Sequence, residues 1–220
     1  MNNRIHDIYR PVEQRRRDFQ EVERPLSCAE IAEQSARCRD CGIPFCHGAG
    51  CPLGNVIPEI NAAVAAGDWR RAWEILNTTS SFPEFTSRVC PALCEGSCTG
   101  GIEDEPVMVR QLEKATVETA FRNGWVQPFI PERRNGIRVT MIGSGPAGLA
   151  AADELNRLGY LVTVYEANAA PGGLLRYGIP DFKLDKSVID RRLELMAASG
   201  ITFVCNTRVG SDISGAYLAR

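Results

Sequence analysis

Seven of the nine cysteines lie in two short windows, and this clustering is the strongest chemical signal in the sequence. The first window runs from Cys38 to Cys51, and the second runs from Cys90 to Cys98. A cysteine that only packs in a core needs no other thiol nearby, so structural cysteines are scattered along a chain. Gaps of two to four residues instead allow several thiolates to converge on one centre. The two windows therefore predict metal or iron–sulfur ligands.

The number of thiols leaves three interpretations of this centre open. Two [4Fe–4S] clusters need eight ligands, so seven thiols would need one non-cysteine partner. Two zinc ions could use His47 as the eighth ligand, and a single cluster would leave some thiols over. The Cys-Pro steps at Cys51 and Cys90 favour iron–sulfur, because such steps occur in two-cluster ferredoxins. Zinc sites commonly have two Cys-x-x-Cys pairs, and only one is present, so we expect His47 to donate a hydrogen bond rather than to bind metal.

A glycine-rich turn is the second chemical signal. Gly143 permits a tight turn after a predicted strand, Gly145 lets the backbone approach a pyrophosphate, and Gly148 lets the next helix pack closely on the strand. Glu166 follows 18 residues after Gly148, at the end of the next strand, where a carboxylate accepts hydrogen bonds from ribose hydroxyls and repels a 2′-phosphate. The turn predicts a site for FAD or NAD rather than NADP. Together, the two signals indicate electron transfer between a dinucleotide and metal clusters.

Helices must position the cysteine windows. A capping-box pattern that starts at Ser27 predicts a helix over about 28–37. A helical hairpin with its turn at Gly67 is predicted between the windows, and another helix is predicted over 107–123. Glycines and prolines over 42–52 predict irregular structure in the first window. The sequence therefore predicts an α-helical iron–sulfur domain.

The pattern changes at residue 137 to that of a parallel sheet. Strands are predicted at 137–142, 161–165 and 201–205, with helices after the glycine-rich turn and over about 185–199. The predicted fold class is an α-helical iron–sulfur domain followed by a partial α/β, Rossmann-like FAD-binding domain. The predicted boundaries are 1–124 for the helical domain, 125–136 for a linker, and 137–220 for the first part of the dinucleotide-binding domain.

The bulk composition excludes several classes of partner. The formal net charge is −2, which gives no basis for nucleic-acid binding. No apolar stretch approaches the roughly 18 residues of a spanning helix, and the N-terminus lacks the apolar segment of a secretion signal. We therefore expect a cytoplasmic protein with reduced thiols and with no nucleic-acid or membrane partner.

Five stretches of the chain carry a resemblance to a known family. They are Arg37 to Cys46, Cys51 to Glu59, Phe82 to Pro91, Gly143 to Gly148, and Gly172 to Pro180. Over about residues 25–210, the chain resembles the small (β) subunit of bacterial glutamate synthase. The N-terminal module of dihydropyrimidine dehydrogenase and the flavin subunits of some ferredoxin-linked transhydrogenases look similar. The resemblance implies that the helical domain carries two [4Fe–4S] clusters. It also implies that FAD takes electrons from NADPH and passes them through the clusters to the large (α) subunit, which makes glutamate from glutamine and 2-oxoglutarate.

The resemblance also implies two crossed sets of cluster ligands. The first cluster would be bound by Cys38, Cys41, Cys46 and Cys98. The second cluster would be bound by Cys51, Cys90, Cys94 and Glu113. Glu113 falls where a relative has a glutamine ligand, although its spacing alone would make it a surface residue of its helix. Four residues separate Cys46 from Cys51, where three are expected in most relatives.

For the flavin, the resemblance implies contacts from the glycine-rich turn and from a few later positions, with no catalytic side chain. The implied FAD-binding residues are Gly143, Ser144, Gly145, Pro146, Ala147, Gly148, Glu166, Gly173, Leu174 and Val209. In the family, the FAD domain continues through an inserted NADPH domain and a returning segment, whereas this sequence ends at Arg220. We therefore expect an incomplete FAD site, NADPH binding only in the complete subunit, and an inactive isolated chain. A non-catalytic iron–sulfur docking module, or the flavin subunit of another ferredoxin- or NADP-linked oxidoreductase, stays open as an alternative.

Overall fold

The computed structural model describes residues 3–219 and divides the chain into two units, Met1–Val126 and Gln127–Arg220. In the described residues, regular structure in the first unit is almost entirely helical. Its α-helices are α1 (Val12–Arg15), α2 (Cys28–Ser35), α3 (Ile57–Ala65), α4 (Trp69–Thr79), α5 (Pro83–Val89), α6 (Leu93–Gly96) and α7 (Val109–Arg122). A 3₁₀ turn, Thr99–Ile102, links α6 to the segment before α7. Within residues 3–219, no helix is both long enough and apolar enough to cross a membrane.

Local sequence signals account for the ends of the longer helices in this unit. The Ser27 hydroxyl accepts a hydrogen bond from the Glu30 backbone N–H, and the Glu30 carboxylate accepts one from the Ser27 backbone N–H. This reciprocal pair confirms the predicted capping box. The helical hairpin is confirmed as α3 and α4. Gly67 has a φ of +75° at its turn, and the Asp68 side chain caps α4 by accepting a hydrogen bond from Arg71 N.

The core of the first unit lies where α2, α3, α4 and α7 meet. Ile31, Val64, Leu76 and Leu112 are each at most 1 % exposed there. Several cysteines of both windows pack against this core as partly buried side chains, namely Cys38, Cys46, Cys51 and Cys98. Burial of these apolar side chains stabilises the helices, and it also fixes the cysteine segments against a rigid base.

The first cysteine window differs from its predicted irregular structure, because Cys46–Gly50 forms a π-helical turn. A π-turn spaces its hydrogen bonds by five residues instead of four, so it takes up one more residue than an α-turn. Gly50 ends the turn and is buried, and a Cβ at this position would lie 2.7 Å from the Cα of Cys94. The absence of a side chain at Gly50 therefore lets the first window pack directly on α6.

The segment before α2 is held to the rest of the first unit by buried ion pairs. Tyr9 and Glu23 form an isolated antiparallel bridge. The Glu23 carboxylate, 7 % exposed, accepts hydrogen bonds from Arg110 and Gln111 of α7. Burial raises the pKa of Glu23, but the hydrogen bonds and charges of Arg110, Gln111 and Lys114 outweigh burial and lower the pKa to about 2.

We expect the variant Glu23→Gln to lower the free energy of unfolding by about 3 kcal/mol at pH 7, because it leaves buried cations without their partner. The folded-state pKa of Glu23, about 2, lies below its ordinary value of 4.5. The stabilisation is therefore fully present above pH 4.5 and is lost as the pH falls from 4.5 towards 2. Urea unfolding at pH 7, 5 and 4 checks this. The control Glu13→Gln alters an exposed carboxylate on α1 and should change little; equal effects of the two variants would contradict the prediction.

The second unit contains a three-stranded parallel sheet. Its strands are β1 (Arg138–Ile142), β2 (Leu161–Tyr165) and β3 (Thr202–Val204), in the spatial order β1-β2-β3. Its helices are α8 (Pro146–Arg157), α9 (Leu174–Tyr177), α10 (Lys186–Ala198) and α11 (Gly215–Leu218). Arg138 pairs with Leu161, and Thr163 pairs with Thr202. The predicted βαβ unit and its parallel strands are thus confirmed.

One face of the sheet packs on the apolar side of the helices. Val162 and Val164 of β2 are buried, as are Leu149 and Ala152 of α8. Residues 125–136, for which the sequence predicts a linker, span the boundary between the units, and Arg134 belongs to the second unit. Its guanidinium donates hydrogen bonds to the Asn156 side chain and to the backbone oxygens of Tyr160 and Ser199. Arg134 therefore connects the segments that lead into β2 and β3.

Candidate cluster and dinucleotide sites

The first donor set combines three thiols of the first window with one of the second. A single pocket is lined by all four residues, Cys38, Cys41, Cys46 and Cys98. The apolar side chains of Phe45, Ile57 and Val107 also line this pocket. Cys98 reaches the set because α6 ends just before it and the 3₁₀ turn begins just after it.

The thiols of the first set lie close enough together to raise the pKa of Cys46. Burial, opposed by the His47 backbone hydrogen bond and helped by the neighbouring thiols of Cys98, Cys38 and Cys41, raises the pKa of the Cys46 thiol to about 11. Sγ of Cys41 lies 3.0 Å from Oγ1 of Thr99. When Cys41 is a thiolate it can only accept, so the Thr99 hydroxyl is then the donor. Bound metal would reverse the pKa shift, since cations stabilise thiolates.

The second donor set lies around the buried thiol of Cys94. Burial, together with the charges of Glu113, Glu95, Cys51 and Cys90, raises the pKa of Cys94 to about 12. These interactions place Cys51, from the first window, near two cysteines of the second window. The set contains three thiols and the carboxylate of Glu113.

Glu113 is a buried residue of α7, and the sequence alone would have made it a surface residue. The residue is 7 % exposed. Burial raises the pKa of the Glu113 carboxyl to about 7; the Asn55 hydrogen bond and the charge of Arg110 lower it, and Glu95 raises it. Asn55 Nδ2 donates to Oε1 of Glu113 over 2.7 Å. A buried carboxyl beside three thiols is a donor set that favours a cationic ligand.

Backbone amides point at two sulfurs of the second set. The N–H of Asn55 donates to Sγ of Cys51, and the N–H of Ala92 donates to Sγ of Cys90, each over 3.4 Å. Ala92 has a φ of +58°, a left-handed conformation that costs a non-glycine residue energy. Hydrogen bonds to sulfur stabilise the negative charge of a thiolate and tune the potential of a cluster bound to it.

A single metal ion and a four-iron cluster require different spacings of their ligands. Among residues 3–219, no group of three or more His, Cys, Asp or Glu side chains is arranged to hold one metal ion. Ligand sulfurs on one tetrahedral zinc ion lie about 4 Å apart, since each Zn–S bond is about 2.3 Å long. A four-iron cluster is larger and separates its ligands further. The thiol donors of both sets are of the type that iron–sulfur clusters use.

The glycine-rich turn of the second unit closes tightly after β1. Gly143 has a φ of +91°. A Cβ at Gly148 would lie 2.3 Å from the backbone oxygen of Gly143, and a Cβ at Gly173 would lie 2.6 Å from the Cα of Gly145. No atom lies within 4 Å of a Cβ built at Gly145. The backbone at Gly143 therefore packs closely against Gly148, while the space beside Gly145 is open. A pyrophosphate site requires such an open space next to the backbone.

Glu166 directly follows β2, and both oxygens of its carboxylate already accept hydrogen bonds from groups of this chain. Oε2 accepts hydrogen bonds from the backbone N–H and the hydroxyl of Ser144, and Oε1 accepts from the backbone N–H and Nδ2 of Asn168. Burial raises the pKa of Glu166, but these donors outweigh it and lower the pKa. A ribose hydroxyl could reach this carboxylate only by replacing one of the two side-chain donors.

The other residues of the predicted FAD site differ in how closely they lie to the glycine-rich turn and Glu166. Pro146 and Ala147 begin α8, directly after the turn. Gly172, beside Gly173, donates its N–H to the Ser144 hydroxyl. Leu174 is 75 % exposed at the start of α9. Val209 forms an isolated bridge with Ile213, outside this hydrogen-bonded group.

Two family models match the chain. Residues 15–125 match the family described as dihydropyrimidine dehydrogenase domain II, 4Fe-4S cluster. The chain belongs to this family. Residues 141–199 match the NAD(P)-binding Rossmann-like domain. The chain therefore combines the 4Fe-4S domain of this family with part of a Rossmann-like dinucleotide domain, and the predicted fold class is confirmed.

Several curated relatives of this 4Fe-4S domain protein are similar over nearly the whole chain. The "Glutamate synthase [NADPH] small chain" of Mycobacterium tuberculosis is 51% identical over 209 residues, which cover 95% of this chain and 43% of the relative. The "Glutamate synthase [NADH]" of Saccharomyces cerevisiae is 48% identical over 215 residues, covering 97% of this chain and 10% of the relative. The "Putative oxidoreductase AegA" of Escherichia coli is 41% identical over 205 residues, covering 92% and 31%. The resemblance to small subunits of glutamate synthase is thus confirmed, and the chain spans less than half the length of these relatives.

Sequence reasoning missed four polar groups of the 4Fe-4S and Rossmann-like domains. Asn55, Thr99 and Ala92 contact sulfurs or Glu113, and Asn168 contacts Glu166. Asn168 carried a usable signal, since it follows two residues after the acidic end of β2. The other three have no local pattern, because their contacts are set by the packing of the two windows.

Proposed function

We propose that the chain is the electron-carrying part of an NADPH-dependent glutamate synthase in the cytoplasm. Electrons pass from NADPH through FAD and two [4Fe–4S] clusters to a large (α) subunit, which forms glutamate from glutamine and 2-oxoglutarate. One observation carries the proposal: two separate four-donor sets, each built from both cysteine windows, lie in a chain whose relatives are named glutamate synthase small chain.

We assign each donor set to one cluster. The first cluster takes Cys38, Cys41, Cys46 and Cys98, and the second takes Cys51, Cys90, Cys94 and Glu113. Each cluster, when bound, supplies a carrier for one electron at a time. Cys94 is buried and the other six thiols are partly buried. The Thr99 hydroxyl and the Asn55 and Ala92 amides donate hydrogen bonds that hold the thiolates in place.

The glycine-rich turn and Glu166 are the chain's contribution to FAD binding. The start of α8 offers backbone N–H groups and a partial positive charge to a pyrophosphate. Glu166 is held to the turn by Ser144, and its charge repels a 2′-phosphate. An adenosine ribose hydroxyl binds it by replacing the Ser144 hydroxyl or the Asn168 amide. We assign Gly143 to Gly148, Glu166, Gly173, Leu174 and Val209 to the FAD site. The nicotinamide of NADPH is bound by parts of the complete subunit outside these residues.

Anaerobically purified protein should contain about eight irons and about eight acid-labile sulfides per chain, as two four-iron clusters require. Iron and sulfide assays, together with broad visible absorbance, measure this directly. Stoichiometric zinc without labile sulfide would refute the cluster assignment. About four irons per chain would refute the assignment of two clusters.

A second candidate function is favoured by the similarity to a putative oxidoreductase of Escherichia coli. In that case, the chain would serve an electron acceptor other than a glutamate synthase large subunit. Co-purification of the full-length protein with a large subunit, and NADPH- and glutamine-dependent formation of glutamate by the complex, support the first candidate. An intact flavoprotein that neither binds a large subunit nor forms glutamate favours the second.

A further inference from the structure

Asn55 is 3 % exposed and takes part in five hydrogen bonds beside the second donor set, one of which its backbone oxygen accepts from the Ile57 N–H over 2.8 Å. Its backbone N–H donates to Sγ of Cys51 over 3.4 Å, and its backbone oxygen accepts from Nδ1 of His47 over 2.9 Å. Its side-chain Oδ1 accepts from the hydroxyl of Thr79 over 2.7 Å, and its Nδ2 donates to Oε1 of Glu113 over 2.7 Å. One buried residue thus contacts two of the proposed ligands of the second cluster.

The donor and acceptor roles in these bonds fix the orientation of the Asn55 side-chain amide. An amide oxygen only accepts hydrogen bonds and an amide nitrogen only donates them. Because the Thr79 hydroxyl donates to Oδ1, Nδ2 is directed at Glu113. Thr79 therefore orients Asn55, and Asn55 in turn orients Glu113.

The carboxylate of Glu113 retains acceptor capacity after this bond. A carboxylate has about four lone-pair sites, and among the described residues Asn55 is its one hydrogen-bond partner. The arrangement holds one oxygen of Glu113 and leaves the other for a ligand.

We propose that Asn55 is the positioning residue of the second cluster. Its amide nitrogen holds Oε1 of Glu113, so that Oε2 is the eighth cluster ligand, and its backbone N–H orients Cys51. This inference rests on the proposed function, because it requires the second donor set to bind a cluster. Beyond the proposed ligands, the inference assigns to Asn55 the role of orienting the Glu113 carboxylate towards the cluster.

The variant Asn55→Asp tests this without a change of size. The new carboxylate keeps an acceptor for Thr79, and the variant keeps all three backbone hydrogen bonds of residue 55. It replaces the donor to Glu113 by an oxygen that repels it. We expect loss of the second cluster, so that iron falls from about eight to about four per chain. The electron paramagnetic resonance signal of the first cluster should remain.

The double variant Asn55→Asp/Glu113→Gln is the matched rescue. It restores one N–H···O hydrogen bond with donor and acceptor exchanged, keeps the net charge of the pair, and leaves the new amide oxygen as the ligand. We expect about eight irons again, with a shifted reduction potential of the second cluster, since the ligand atom is now neutral.

The outcomes separate the inference from the proposed function. A wild-type chain with no second cluster refutes the proposed function, and the inference with it. A wild-type chain with two clusters, combined with an Asn55→Asp variant that keeps both clusters at unchanged potentials, refutes only the inference. Loss of both clusters and of helical circular dichroism in Asn55→Asp, without rescue in the double variant, shows a purely structural role and also refutes the inference.

Discussion

Cys98→Ala should abolish the same cluster signal as Cys41→Ala, although the two residues lie 57 positions apart in different windows. Both residues line the pocket of the first donor set. Removal of either ligand should lower the iron content from about eight to about four per chain, because a four-iron cluster with three ligands is lost or degraded. The same anaerobic preparations, examined by electron paramagnetic resonance after reduction, identify which signal disappears.

Two further variants complete this test. Cys94→Ala should remove the other signal, because Cys94 interacts with Cys51, Cys90 and Glu113. Cys205→Ala alters a free thiol outside both windows and should keep all of the iron. If Cys94→Ala and Cys98→Ala remove the same signal, the crossed arrangement is wrong and each window binds its own cluster.

Gly148→Ala should destabilise the second unit by about 3 kcal/mol or more. Its new Cβ would lie 2.3 Å from the backbone oxygen of Gly143. A backbone atom cannot move away as a flexible side chain can, so β1 and α8 must separate. Urea unfolding followed by circular dichroism measures the loss, and binding of FAD or ADP by the full-length subunit, measured by calorimetry, should disappear.

Gly145→Ala is the matched control for this prediction. No atom lies within 4 Å of a Cβ at Gly145, and its φ of −63° suits alanine. Stability should therefore change little, while binding of FAD or ADP falls because the methyl group enters the pyrophosphate cradle. Equal stability of the Gly145 and Gly148 variants would show that the turn opens more easily than its backbone contacts indicate.

The sequence was sufficient to predict the features that depend on local chemistry. The capping box at Ser27 and the turn at Gly67 follow from residue types a few positions apart. The parallel βαβ unit follows from the hydrophobic pattern of its own strands and helix. The grouping of the thiols came from the resemblance to a family, since spacing alone left zinc and a single cluster open. The crossed proximity of Cys46 and Cys98 is a tertiary property that spacing cannot express.

The features that the sequence did not predict depend on contacts between distant residues. Asn55 and Glu113 are 58 residues apart, and only the packing of α7 against the first window brings them together. Ala92 has a left-handed backbone conformation, which a sequence usually signals by a glycine at that position. The π-helical turn at Cys46–Gly50 depends on the close approach of Gly50 to Cys94.

The position of Cys98 among the thiols of the first window has a consequence for how the chain is assembled. In the proposed arrangement, each cluster is a cross-link that closes a long loop, since Cys46 and Cys98 are 52 residues apart. By loop-closure entropy, such a link restricts the unfolded chain by about 4 kcal/mol. During synthesis, the first window leaves the ribosome well before its fourth ligand. Neither cluster can then be completed until the second window has emerged, so iron insertion would be the event that joins the two halves of the helical unit.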